Sequence, residues 1–182
     1  MNLLDYQKII PYLLQPRKYD LDRLNKIEIF LKNELGLLYF GVVDGEWDVA
    51  GSCSTIELTF DNEWKILNCF MKKCDARHFI LKIAISARGP FITSKGLESL
   101  PINTGDYMPP DGNGMVFRNS HAPEKKARQI SQQIAKKFDL QYLERLWLNE
   151  YEIDVMDLAG DASLSLEDAN PTALNVLFSE SM

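Results

Sequence analysis

Two stretches of strict alternation limit most tightly how this chain can fold. In Thr-Ile-Glu-Leu-Thr-Phe at 55–60, Ile56, Leu58 and Phe60 fall on one side of an extended backbone, and Thr55, Glu57 and Thr59 on the other. In His-Phe-Ile-Leu-Lys-Ile-Ala-Ile-Ser at 78–86, Phe79, Leu81, Ile83 and Ile85 repeat the pattern, with His78 and Lys82 on the outer side. A period of two is that of a strand with one face buried and one wet. Further strands are expected at 37–43 and 46–50, joined by the hairpin dipeptide Asp44-Gly45, and at 63–71 after a turn at Asp61-Asn62. Parallel neighbours need a crossover of about a dozen residues, so strands this closely spaced predict an antiparallel meander.

Helical periodicity brackets the strands. After Asp20, a natural N-cap, Leu21, Leu24, Ile27, Leu31 and Leu35 recur at helical spacing, and Gly36 supplies a stop. An earlier helix carries Leu3, Leu4, Tyr6, Ile9, Ile10, Leu13 and Leu14, is expected to bend at Pro11, and ends at Pro16. Pro123 suits the first turn of another helix, with Ala127, Ile130, Ile134 and Phe138 on one face and Lys125, Lys126, Arg128, Lys136 and Lys137 on the opposite one. Residues 140–161 read as either helix or strand. A last helix is capped by Asn170 and opened by Pro171, which lets Ala173, Leu174, Leu177 and Phe178 dock on the core. Between the strands and the basic helix, 87–121 is rich in Gly and Pro and reads as a long irregular region that could provide a lid or binding edge, with one short strand at 114–120. The fold class expected is α+β: an antiparallel meander of about four to six strands packed against N-terminal and C-terminal helices.

At 182 residues, 46% hydrophobic and 25% charged, the whole chain, 1–182, is expected to form a single domain. Its longest apolar runs fall short of the ~20 residues that span a bilayer. Cys53, Cys69 and Cys74 form no disulfide framework, and the N-terminus has no basic cluster or cleavage site of a secretory signal, so a cytoplasmic protein is expected.

Charge is distributed unevenly. Net charge is −6, yet residues 150–182 hold eight acidic residues and no Lys or Arg. The other 18 of the 26 acidic residues face all 20 basic ones. Residues 64–97 carry Lys65, Lys72, Lys73, Arg77, Lys82, Arg88 and Lys95 against Asp75 alone. Such asymmetry either neutralises itself within the fold or marks a charged partner.

No constellation compels a reaction. Cys69, Cys74 and His78 offer three ligand types across a turn, where a structural zinc site would supply four, so thiols beside a surface histidine are the simpler reading and no metal or cofactor is expected. Two histidines without a nucleophile motif do not make a Ser–His or Cys–His site. Asp154 with Asp157, or Glu167 with Asp168, could pair for acid–base work, but acidic clusters are more often solvated faces; no catalytic residue is assigned. Asp-Gly-Asn-Gly at 111–114 lacks the frame of a phosphate loop and reads as a turn. The basic helix 123–138 with Trp64, Phe70 and Phe79 could make a nucleic-acid adaptor, and a pocket under 87–121 a small enzyme; both rank below protein recognition. A cation-free stretch with Tyr151, Met156 and Leu158 among its carboxylates offers apolar anchors within a field that attracts a basic surface.

The order of elements, with Gly89-Pro90-Phe91 after the strands and Pro171-Thr172-Ala173 through Leu177-Phe178-Ser179-Glu180 at the end, resembles small bacterial proteins of the toxin-immunity type. The resemblance implies a cytoplasmic, non-enzymatic protein that binds one cognate toxin and occludes its active site. Many such toxins are basic nucleases, whose surfaces an acidic face would suit by mimicking nucleic-acid charge. Glu150, Glu152, Asp154, Asp157 and Asp161 are the expected partner contacts.

Overall fold

The computed structural model describes residues 3–13, 15–35, 53–65, 77–101, 115–145, 148 and 172–178. In chain order these form α1 (Leu3–Leu13), α2 (Leu21–Asn33), β1 (Cys53–Asp61), β2 (His78–Ser86), β3 (Phe91–Pro101), β4 (Met115–Asn119), α3 (His121–Phe138), β5 (Gln141–Tyr142) and α4 (Ala173–Phe178). The architecture is α+β. The expected strands at 37–43 and 46–50 lie outside the described residues, as do Gly36, Asp44-Gly45, Cys69, Cys74, 111–114 and Asn170-Pro171; of the strand expected at 63–71, residues 63–65 belong to the turn after β1 and the rest lie outside the described residues.

β1 to β4 form the antiparallel meander in sequence order. Register puts Ile56, Leu58 and Phe60 opposite Ile83, Leu81 and Phe79, so one face is continuous, and Ile85 opposite Ile92 extends it onto β3. This face meets Leu24, Ile27, Phe30 and Leu31 of α2 and Ala127, Ile130 and Ile134 of α3. The opposite face, through Cys53, Ala84 and Phe91, packs on Ile9 and Leu13 of α1 and on Ala173, Leu174, Val176, Leu177 and Phe178 of α4. Helices therefore cover both faces. The docking expected of Ala173, Leu174, Leu177 and Phe178 is present, and Cys53 Sγ donates to Phe178 O at 2.7 Å.

That second layer corrects the reading of β2. The strand is buried on both faces apart from Lys82, and His78, expected at the surface, is 6% exposed. A central strand covered on both sides loses the wet face that alternation implied. β5 is a further departure from the meander: it pairs parallel with β3 at Phe91↔Gln141 and Ile92↔Tyr142, with α3 as the crossover that parallel pairing requires. The largest correction concerns 87–121. Instead of a long irregular segment, it contains the 11-residue β3 as well as β4, the short strand expected there.

Local chemistry sets the element ends. Asp20 caps α2 by accepting from Arg23 N at 3.0 Å, as its position before Leu21 suggested. α3 begins at His121, with Pro123 buried in its first turn, and ends on Asp139 in the left-handed region, φ 52°. Gly96 is where α3 rests on β3: a Cβ there would run into the backbone of Pro123 and Glu124. Gly89-Pro90-Phe91 makes the turn from β2 to β3. Phe91 N donates to Gly89 O at 2.8 Å, Gln141 N to Pro90 O at 2.7 Å, and the Phe91 ring meets Tyr12 of α1 edge-on at 5.0 Å. The turn thus joins α1 to β5. Beside it, the buried Arg88 donates Nη1 to Leu13 O at 3.2 Å and Gln15 O at 2.8 Å, and Nε to Val176 O at 3.2 Å, tying the end of α1 to α4.

Candidate binding surface

The edge of β3 positions the most elaborate polar surface. β5 takes the first residues of that edge and β4 the last, so Thr93 to Gly96 have no strand partner there among the described residues. Open sheet edges invite pairing with other chains. Here side chains close the gap: Thr93 Oγ1 donates to Leu143 O at 2.8 Å, Gly96 N to the Glu124 carboxylate at 2.7 Å, and the Ser94 and Tyr142 hydroxyls lie 3.3 Å apart. Burial, the largest influence on Tyr142, raises its pKa above the usual tyrosine value.

Beside this gap lies a cleft of about 270 Å3, walled by Asn119, Ser120, His121, Glu124, Arg128, Glu144 and Arg145. A neighbouring concavity of about 430 Å3 shares His121, Glu124 and Arg128 and adds Lys125 and Gln129. Arg128 Nη2 donates to Glu144 at 2.8 Å across the cleft, while Arg128 Nε is buried with no acceptor among the described residues. Alternating acid and base suits a polar protein surface better than an apolar ligand. On the opposite face of the sheet, Lys95 stands directly across from Lys82, which reaches Glu57 at 3.5 Å. Burial lowers the pKa of Lys95, the nearby Arg145 and Lys82 charges lower it further, and Glu124 opposes them. A third concavity, of about 420 Å3, lies under the connection from α1 to α2, where Arg88 and Lys18 meet Ser54 and Ser86. The guanidinium contacts of Arg88 described above make it a structural tie in that wall.

Glu150, Glu152, Asp154, Asp157 and Asp161, together with Glu167 and Asp168, lie outside the described residues. Among the described residues no cluster of His, Cys, Asp and Glu could hold a metal ion. Trp64 and Phe79, considered as stacking groups for a nucleic acid, stack on each other at 4.7 Å, and Trp64 meets Phe60 edge-on, so both belong to the core margin. On the basic face of α3, Arg128 pairs with Glu144, Lys137 pairs with Glu34 just after α2, and Lys126 lies 5.9 Å from the Trp64 ring.

Sequence reasoning missed Glu98. It is 1% exposed on the α3 side of β3, where Oε2 accepts from Arg118 Nε at 2.8 Å and Oε1 pairs with Arg77. The Arg118 hydrogen bond, aided by both guanidinium charges, holds its carboxyl below the usual glutamate range against the opposing effect of burial. Reading β3 as a strand would have placed Glu98 in line with Ile92, on a buried face.

No protein-family model, curated protein or solved structure matches this chain. Among the described residues, no helix is long and apolar enough to cross a membrane.

Proposed function

We propose that this is a cytoplasmic, bacterial immunity-type protein that binds a cognate protein toxin and neutralises it by occluding its active site, without catalysis. The observation that carries the reading is the charge of residues 150–182: eight carboxylates and no Lys or Arg. Such a segment attracts a basic surface, speeds encounter and repels acidic competitors. Its first acid follows shortly after Glu144, which stands on the wall of the mixed-charge cleft, so the two form one stretch of sequence suited to polar recognition. Glu150, Glu152, Asp154, Asp157 and Asp161 are the proposed contacts, and a basic nuclease domain is the proposed kind of partner.

The test is co-expression with the product of the adjacent gene, which this reading requires to be a toxin. The reading requires that this chain restore growth, and that Asp154→Lys with Asp157→Lys weaken the rescue while the protein stays folded. Undiminished rescue by the doubly reversed variant would remove the acidic segment from the account, and absence of rescue by the native chain would remove the function.

A further inference from the structure

The two oxygens of buried Glu98 are divided between arginines from neighbouring strand ends, Arg118 on β4 and Arg77 just before β2. Both use Nε. Their Nη groups make no hydrogen bond to another described residue, and the side chains are 57% and 53% exposed. The Arg77 guanidinium is further steadied 5.7 Å over the Phe79 ring, which stacks on Trp64, and Lys126 Nζ lies near the Trp64 ring.

A buried ion pair is a poor source of stability, since a well-packed apolar side chain commonly does as well. What this one provides is orientation. A guanidinium held at Nε by a fixed carboxylate turns its end-on pair of Nη donors outward, the edge that matches the oxygens of a phosphate. Glu98 cancels only one of the two guanidinium charges set on it, and the charge left over suits the anionic oxygens of a phosphate.

We infer that Arg77 and Arg118 form a receptor for a phosphate group. The site is independent of the acidic segment and of the toxin reading. The phosphate could be that of a small monoester or of a single-stranded nucleic-acid backbone, two sources of the same chemistry.

The test uses the full chain, labelled with 15N, and inorganic phosphate as the probe. Saturable shifts of the Arg77 and Arg118 Nε–H signals are expected in the millimolar range, with Arg118→Lys weakening the affinity about tenfold. Lysine keeps the charge and the contact with Glu98 but not the planar fork, so a purely structural or diffuse electrostatic role predicts no such loss. Should Arg118→Lys fail to fold, Arg77→Lys provides the same comparison. Phosphoserine and an oligothymidylate then compete with phosphate, and whichever competes more strongly names the source. Shifts that do not saturate, equal affinity in the variant, or failure of both competitors would overturn the assignment.

Discussion

Glu98 and Arg118 face each other across β3 and β4, carboxylate to guanidinium Nε at 2.8 Å, with the carboxylate buried and the arginine open to solvent. The arrangement ties stability to pH. The folded pKa of Glu98 is depressed, so its contribution is fully present above the unfolded glutamate value, about 4.3, and is lost as pH falls from there through the folded value. Glu98→Gln is expected to cost about 1–2 kcal/mol at neutral pH, a modest figure because both arginines are well solvated. Urea unfolding of the two proteins from neutral to acid pH should show the gap closing. A constant gap would show that the charge of Glu98 contributes nothing.

Arg88 satisfies three backbone carbonyls from two separate chain segments. Arg88→Met keeps apolar bulk but leaves those acceptors without their donor. Leu13 O and Val176 O are buried and each costs about 1–3 kcal/mol when stranded, while the half-buried Gln15 O costs less, so a total loss of about 3 kcal/mol is expected. Thermal unfolding should fall by roughly 6–12 °C for a chain of this size. A variant as stable as the native chain would mean that water or another donor reaches the carbonyls.

Gly96→Ala tests the contact between α3 and β3. The added methyl would meet backbone atoms of Pro123 and Glu124, which cannot swing aside as a flexible side chain can. A loss of about 2–4 kcal/mol is expected, together with faster amide hydrogen exchange over the first turns of α3. Unchanged exchange in those turns would contradict this close packing.

Asp139 ends α3 at φ 52°, a conformation that favours glycine. Asp139→Gly should therefore be neutral or stabilising by up to about 1 kcal/mol, while Asp139→Val should destabilise, both read from chemical denaturation. A stabilising valine would rule out this account of the helix end.

Much of the fold was legible wherever one physical signal dominated. Ile56, Leu58 and Phe60 announced β1, Asp20 announced α2, and Ala127, Ile130 and Ile134 announced α3 because each apolar set has a single period and a single neighbour to cover it. β3 was not legible. Gly96 and the prolines at its ends, Pro90 and Pro101, imitate a loop, and its Ser94 and Glu98 are compatible with a sheet only because Tyr142 and Arg118, far off in sequence, accompany them. The burial of His78 was hidden for a similar reason: alternation in one strand cannot report a second layer of cover. The parallel β5 is two residues long, too short for any period to register. Of the site, the acidic segment was visible as composition, whereas the cleft beside Glu124 and the fork on Glu98 arise only when separate strands meet.

The most direct measurement captures partners on the tagged chain from a lysate of its own source, at low and moderate salt, for the native protein and for Asp154→Lys with Asp157→Lys. The account predicts one stoichiometric partner, a basic protein with toxin activity, whose recovery falls with salt and in the reversed variant. Recovery of nucleic acid alone, of no partner, or of the same partner in equal amount with both carboxylates reversed would contradict it.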